Sequence, residues 1–177
     1  MKEFFSTKRL CRGGVIAALY VALTYAFAPF AFGPIQIRPA EALCILPLFF
    51  VEAIPALYVG CMLSNIASPY AVYDMFLGSL VTLLAALGTY MVGRFFKKAS
   101  LRVFFGGLFP VVLNALFIPI IIVYLCGTCP DHASASANYI LWAFLLFITE
   151  TIWVYSLGTP LYFGVASMKK RGLKFFN

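Results

Sequence analysis

Apolar segments of about 20 residues alternate with short polar or basic segments along the chain. Four of them, covering residues 13–32, 74–94, 103–125 and 139–168, carry at most one charged residue between their ends. This is the length that a helix needs to cross the hydrocarbon core of a bilayer, roughly 20 residues. Backbone polar groups in lipid must be bonded within the segment, which favours helices. The pattern therefore predicts an all-α integral membrane protein.

A further apolar region follows the first segment and is interrupted by two acids and two prolines. It is compatible with one kinked helix or with two short ones. Basic clusters beside apolar segments are typical of cytoplasmic loops, and both Arg12 and Arg94 belong to such clusters. An even number of crossings must then separate them, which favours two short helices, 40–51 and 53–66. Glu52 falls at the tight cytoplasmic turn between these helices, where we expect a hydrated carboxylate.

The same parity argument gives two more crossings between Arg102 and Lys169. The chain is therefore predicted to be a single transmembrane domain over residues 1–177, with six transmembrane helices and both termini in the cytoplasm. The two short helices do not reach across a bilayer, so we expect longer helices to shelter them or expect them to line a cavity. The predicted helices cover about residues 13–32, 40–51, 53–66, 74–94, 103–125 and 139–168.

Composition agrees with this prediction. Hydrophobic residues make up 63% of the 177 residues and charged residues 11%, with a mean hydropathy of +0.97. Soluble domains carry roughly 25% charged residues, so a soluble enzyme and a disordered chain are excluded. The net charge of +7 arises from basic clusters at both termini and in the middle of the chain, and only Arg38 lies apart from them. We interpret this charge as a sign of topology and of attraction to anionic lipid, not as a nucleic-acid surface.

Glu150 is the most informative polar residue, because ionisable groups inside a membrane are costly and usually functional. It lies in the middle of an apolar segment with no basic residue nearby. Trp153 follows three positions later and is expected on the same helical face. An acid beside a flat aromatic ring suits a planar base with N–H donors. The alternative is a protonated structural glutamate that is bonded to a neighbouring helix.

Five other polar residues are candidates with equally ordinary explanations. Asn114 lies between two prolines, so its amide either reads a ligand edge or bonds a carbonyl that a proline has freed. The others lie near the predicted outer mouth, where a solute would enter, but each also suits a helix end as a cap, as a residue of the first turn or as the partner of a nearby charge. These four are Arg38, Glu41, Asn65 and Asp74.

The last outer loop contains a C-x-x-C motif formed by Cys126 and Cys129, with His132 three residues later. A disulfide or two free thiols is favoured over a metal or redox site, because a full zinc site needs another ligand. No nucleophile–base pair is visible elsewhere. The sequence therefore predicts no catalytic residue, no metal and no cofactor.

A stripe of small residues runs along the first predicted helix. Gly14, Ala18, Ala22 and Ala26 recur at four-residue spacing and so share one face, where another helix backbone can approach closely. The stripe packs either within this bundle or against another subunit, and we favour the second interpretation because the helix is terminal.

These residues together resemble the QueT family, the substrate-binding S components of energy-coupling factor (ECF) transporters. The resemblance covers nearly the whole chain in order, except for residues 125–138. It is carried by the run FGPIQIRPAEAL at 32–43, EAIP at 52–55, Asn65, residues 74–86, NAL at 114–116, Glu150 and residues 155–161.

The resemblance implies the six-helix S-component fold and a multi-pass location in the plasma membrane of a prokaryote. It implies uptake of a queuosine precursor, either preQ1 or a related 7-deazaguanine. The implied partners are a transmembrane coupling subunit, which the small-residue stripe would face, and two cytoplasmic ATPases. No nucleic-acid partner and no cofactor is implied.

The residues suit such a ligand. The carboxylate of Glu150 can accept the N–H donors of a guanine-like edge as a bidentate pair, and a cationic aminomethyl arm needs a second acid, with Asp74 preferred over Glu41. Aromatic rings can stack on the base and amides can read its remaining edges. The candidates for these two roles are Trp153, Tyr70 and Tyr73 for stacking, and Asn65 and Asn114 for the edges.

Two other classes of protein stay open. A proton-coupled secondary carrier or channel would use Glu150, Asp74 and Glu41 as a proton relay. A membrane enzyme is the weaker alternative, since it would need a nucleophile that the sequence does not display.

Overall fold

A computed structural model describes residues 6–32, 35–127 and 134–172. Every regular element within these ranges is helical, so the predicted all-α class is confirmed for the described chain. The α helices are α1 (Thr7–Ala26), α2 (Ala28–Ala31), α3 (Ala53–Ser64), α4 (Ala71–Tyr73), α5 (Ser79–Phe95), α6 (Ala99–Pro119) and α7 (Ala135–Lys170). Other helical turns are the 3₁₀ segments Pro39–Leu48 and Asn65–Ala67 and the π segments Asp74–Gly78 and Ile120–Leu125.

Three helical runs of the described chain are long and apolar enough to cross a membrane. They are Asp74–Phe95, Ala99–Leu125 and Ala135–Lys170, and each includes at least 22 residues. Pro39–Leu48 and Ala53–Ala67 are apolar but shorter. Multi-pass membrane character is therefore supported, whereas the count of six crossings and the side on which the termini lie stay predictions.

The 3₁₀ helix Pro39–Leu48 lies in the centre of the bundle. All ten of its residues are buried, and it packs against α7, α5, α1 and α6. Runs of 3₁₀ helix longer than about four residues are uncommon because their hydrogen bonds have poor geometry. Such a backbone is tolerated at membrane depth only where protein surrounds it. The prediction that the first short helix is sheltered by longer helices is confirmed.

Helices α1 and α3 approach each other closely at Gly60. A Cβ atom at this position would lie 3.0 Å from Cβ of Tyr20 and 3.1 Å from the carbonyl oxygen of Ala17. A larger side chain would therefore push the two helices apart. This contact seats Tyr20 against the central 3₁₀ helix.

The turn between the 3₁₀ helix and α3 differs from the prediction of a hydrated carboxylate. Glu52 is only 9% exposed, and its Oε1 lies 2.9 Å from Nε of Arg12. The guanidinium of Arg12 also lies 4.6 Å from the centre of the Phe50 ring. The sequence places both residues at the same end of the bundle, but which side chains meet there depends on how α1 packs beside this turn.

Polar contacts across helices hold the second half of the bundle. The Thr89 hydroxyl donates to the carbonyl of Gly106 at 2.7 Å, which links α5 to α6. The Tyr155 hydroxyl donates to the carbonyl of Phe104 at 2.6 Å, which links α7 to α6. Interhelical hydrogen bonds of this kind contribute about 0.6 to 2 kcal/mol each in membranes. They set the position of α7, which carries Glu150.

Candidate functional site

Six polar side chains that the sequence singled out are buried in the interior, and we call them the buried polar centre. One lies directly before the 3₁₀ helix and one within it. The other four lie at the end of α3, in the π segment that precedes α5, in α6 and in α7. None exceeds 4% exposure, which is rare for charged side chains without a role. The six are Arg38, Glu41, Asn65, Asp74, Asn114 and Glu150.

Arg38 connects the members of this centre. Its Nη2 donates to Oδ1 of Asn65 at 3.0 Å, and it forms no ion pair with Glu41, the partner that the sequence suggested as an ordinary explanation. It interacts electrostatically with Glu41 and Asp74, and also with Glu150. The electrostatic field of one guanidinium therefore reaches three buried carboxyl groups.

Glu41 is already bonded within the chain. The Tyr20 hydroxyl donates to its Oε1 at 2.5 Å, and the Cys44 thiol donates to its Oε2 at 3.2 Å. Both donors are completely buried. The sequence analysis assigned no role to Tyr20, because nothing along the chain connects α1 with a residue 21 positions later.

Glu150 has one carboxyl oxygen that is open. It lies near the Asn114 side chain, and its Oε2 has no hydrogen-bond partner among the described residues. Leaving a buried polar atom without a partner costs about 1–3 kcal/mol, and more for a charged group. The open Oε2 is therefore an acceptor that a ligand with an N–H donor would satisfy.

Asp74 presents a second open acceptor. Its Oδ1 is buried and has no partner within the described chain. The Asn65 amide donates to the backbone carbonyl of Asp74 at 2.9 Å, which ties the π segment to the end of α3. π-Helical turns occur frequently at functional sites. Here the turn directs a carboxylate into the interior where an ordinary helix start would leave it at the surface.

Gly78 makes room for this carboxylate. A Cβ atom at Gly78 would lie 2.7 Å from Oδ1 of Asp74 and 3.2 Å from Nδ2 of Asn65. The first distance is shorter than any normal contact, so even alanine would displace the Asp74 side chain. The position of Asp74 thus depends on a glycine one helical turn later.

The three predicted stacking residues lie outside the enclosed part of the centre. Trp153 and Tyr70 are half-buried, and Tyr73 is 48% exposed. Trp142 is the fully buried tryptophan of α7, with only 4% exposure. It lies eight residues before Glu150, about two helical turns, and so shares its face. The eight-residue spacing is a signal in the sequence that could have identified Trp142, whereas Trp153 lies nearer to Glu150 along the chain but is less buried.

Asn138 is a further polar residue on this face of α7. It lies four residues before Trp142, is 3% exposed, and its Nδ2 has no partner within the described chain. The same four-residue spacing continues through Leu146, which is completely buried, to Glu150. α7 therefore presents one buried face that is polar at both ends and apolar between them.

The C-x-x-C loop is only partly described. Cys126 directly follows the π segment after α6 and is half-buried, whereas Cys129 and His132 lie outside the described residues. Burial raises the pKa of the Cys126 thiol, and the Asp74 carboxylate raises it further. Among the described residues no group of three or more potential ligands is arranged to hold a metal ion.

The small-residue stripe of α1 faces away from the rest of the chain. Gly14, Ala18, Ala22 and Ala26 are all exposed, and a Cβ atom at Gly14 would meet nothing within 4 Å. The buried face of α1 is a different one and includes Tyr20. Packing of the stripe within this bundle is therefore not observed.

Comparison with known proteins places the chain in a transporter family. The sequence profile described as QueT transporter matches residues 10–167. A protein of Lactococcus lactis subsp. cremoris (strain MG1363), named queuosine precursor transporter QueT, is 38% identical over 84 residues. That match covers 46% of this chain and 49% of the relative, so the chain is aligned with about half the length of this curated protein. No solved structure matches the chain.

The profile match covers far more than half of the chain and includes every member of the buried polar centre. Its description is that of a transporter and not of an enzyme, in agreement with the sequence prediction. The chain belongs to the QueT transporter family.

Proposed function

We propose that this chain is the membrane substrate-binding subunit of an ECF-type importer and takes up a queuosine precursor, preQ1 or a related 7-deazaguanine. The family assignment and the name of the lactococcal relative support the class of substrate. The buried polar centre supports a binding role, because it holds two carboxyl oxygens that have no hydrogen-bond partner among the described residues.

The observation that carries this proposal is the pair of open carboxyl oxygens, Oε2 of Glu150 and Oδ1 of Asp74. A 7-deazaguanine presents N–H donors along one edge, which suit a buried carboxylate. The aminomethyl arm of preQ1 is cationic and suits a second carboxylate. Glu41 is the weaker candidate for that second role, because Tyr20 and Cys44 already occupy its oxygens.

The amides and aromatic rings complete the proposed site. Asn114, beside Glu150, is the preferred candidate for reading the remaining ring edges, because Asn65 is already bonded through its Oδ1 to Arg38 and through its Nδ2 to the carbonyl of Asp74. Trp142 joins the earlier stacking candidates because it is buried on the face of Glu150. Its indole ring offers a large flat surface with a single donor.

We propose that the exposed stripe of α1 contacts the transmembrane coupling subunit. A nearly apolar groove of about 440 Å³ runs beside the stripe, between α1 and α3, and its lining includes Gly13, Gly14, Ala17 and Ala56. Small residues on two neighbouring helices allow a partner helix to approach closely. In this proposal two cytoplasmic ATPases hydrolyse ATP and the chain itself does no covalent chemistry.

The proposed topology has six crossings with both termini in the cytoplasm of a prokaryotic cell. The basic residues of the described chain support it, because Lys8, Arg94 and Lys169 all line one cleft at the same end of the bundle. Basic residues accumulate on the cytoplasmic side of membrane proteins.

Ligand charge tests the role of the second acid. We expect the purified chain to bind preQ1 with submicromolar affinity, and about tenfold more tightly than its neutral cyano analogue, since a charge-assisted hydrogen bond is roughly twice as strong as a neutral one. Isothermal calorimetry measures both affinities. Asp74→Asn should remove the preference while leaving the cyano analogue bound. Equal affinity of the unmodified chain for both ligands would rule out the second acid.

A proton-coupled carrier is the second candidate, favoured by the electrostatic coupling of Glu41 with Glu150 in the interior. Purified chain in proteoliposomes distinguishes the two functions. Uptake by the chain alone, driven by a pH gradient, would indicate a carrier. Stoichiometric binding without uptake would indicate a subunit that needs its partners.

A further inference from the structure

A cleft of about 570 Å³ opens at the end of the bundle opposite to the π segment that contains Asp74. It lies where the start of α1, the turn after the 3₁₀ helix and the last turns of α5 and α7 meet. Its lining shares Arg9 and Glu52 with the groove assigned to the coupling subunit but includes no residue of the proposed substrate site. Its basic lining residues are Lys8, Arg9, Arg12, Arg94 and Lys169.

The charge of this cleft is strongly unbalanced. Glu52 is the one acid among its described lining residues, and it is paired with Arg12 at 2.9 Å. Among the described lining residues, five are basic and one is acidic. Arg94 is held in place, because its Nη1 donates to the Tyr90 hydroxyl at 3.2 Å and its guanidinium lies 5.8 Å from the centre of the same ring. Such an arrangement favours an anion.

The N-terminus of α1 adds to the positive electrostatic potential of the cleft. Ser6 lines the cleft and is the N-cap residue of this 20-residue helix, yet its side chain makes no capping hydrogen bond. The first turn contains no acid. The positive end of the helix dipole therefore has no counter-charge from its own first turn, and helix N-termini of this kind bind phosphate groups readily.

The floor of the cleft is apolar. Leu48, Phe49, Phe50 and Val51 line it beneath the basic residues. A free anion would gain little from this floor, whereas a lipid would place its glycerol and the first carbons of its acyl chains there. Basic pockets between transmembrane helices on the cytoplasmic side are known to bind anionic headgroups.

We propose that this cleft binds a phosphate-bearing headgroup, supplied by an anionic phospholipid of the leaflet that surrounds the basic end. The phosphate lies between the first turn of α1 and the side chains of Arg94 and Lys169. The apolar floor contacts the glycerol and upper acyl region. The site is independent of the proposed substrate site, so its failure would leave the transport proposal untouched.

Lipid retention by the full chain tests this site. Native mass spectrometry of the delipidated protein, titrated with phosphatidylglycerol or with phosphatidylcholine, measures binding of each lipid. We expect one tightly held phosphatidylglycerol per chain. The double variant Arg94→Gln/Lys169→Gln, at two exposed positions, should weaken its binding about 30-fold, since each basic residue near a membrane surface contributes roughly fivefold to binding.

The matched control is Lys97→Gln/Lys98→Gln, which removes the same charge from the same end of the bundle outside the cleft lining. This control should bind phosphatidylglycerol as the unmodified chain does. Soluble glycerol phosphate is titrated separately to distinguish the two sources of phosphate. Competition by it would support recognition of the phosphate itself, and binding of lipid alone would support a headgroup site that needs the apolar floor.

Three results would overturn the proposal. They are equal retention of phosphatidylcholine and phosphatidylglycerol, equal loss of lipid by both double variants, and no binding of either lipid or of glycerol phosphate. Binding of preQ1 by the cleft variant serves as the check on folding and should be unchanged.

Discussion

Replacing Glu150 with glutamine is expected to weaken binding of a 7-deazaguanine by about 2–4 kcal/mol, roughly 30-fold to 1,000-fold in Kd. Glutamine keeps the shape of the side chain but removes the charge and turns one acceptor into a donor. The open position at Oε2 would then face a ligand N–H with either a weaker acceptor or another N–H group. Isothermal calorimetry on the purified variant measures the loss.

The matched control is Glu52→Gln. It also removes a buried carboxylate, but from the opposite end of the bundle, where the partner of Glu52 is Arg12. Ligand affinity should be unchanged in this control, although its thermal stability is expected to fall because the buried ion pair with Arg12 is lost. If Glu150→Gln binds as tightly as the unmodified chain, then Glu150 is structural and the pocket lies elsewhere.

Ala22→Leu is expected to abolish most ATP-driven uptake while leaving ligand binding by the isolated chain intact. Ala22 lies in the centre of the exposed stripe, and leucine adds three carbons there. A partner backbone would be held away, and dispersion contacts fall steeply with distance. Copurification with the coupling subunit and the ATPases, followed by uptake in proteoliposomes, measures assembly and transport separately.

Gly164→Leu is the control for added bulk. Gly164 is exposed on α7, and a Cβ atom there meets nothing within 4 Å, as at Gly14 in the stripe. It should assemble and transport normally. Normal assembly and uptake by Ala22→Leu would show that the stripe is not the interface with the coupling subunit. A lower thermal stability of isolated Ala22→Leu, together with weaker ligand binding, would instead indicate that the stripe packs within this chain.

The sequence was sufficient to identify most residues of the buried polar centre, but not to predict how they are arranged. Polar residues within membrane segments are few and costly, so they can be identified from the sequence alone. The structure buries the five that lie in or beside such segments, which are Arg38, Asn65, Asp74, Asn114 and Glu150. The apolar segments predicted helices because lipid leaves the backbone few alternatives. The polar candidates and the helical class both follow from the cost of placing polar groups in lipid, so neither required the tertiary structure.

Choosing among the acids required contacts between distant parts of the chain. Glu41 and Glu150 look alike in the sequence, but Tyr20 and Cys44 fill the acceptors of Glu41 and leave Oε2 of Glu150 open. The position of Asp74 likewise depends on the space at Gly78 inside a π turn. Whether a buried polar atom has a hydrogen-bond partner depends on a second residue, and the two residues come together only when the helices pack.

The sequence by itself determined that this chain is helical, lies in a membrane and carries buried polar groups, because each of these follows from the cost of exposing or burying individual residues. Only the tertiary structure decided which face of each helix is buried. It turned the stripe of Ala22 outward, brought Trp142 rather than Trp153 beside the interior, and paired Arg12 with Glu52. Helical periodicity groups residues on a common face, but the neighbours of that face are set by how the other helices pack around it.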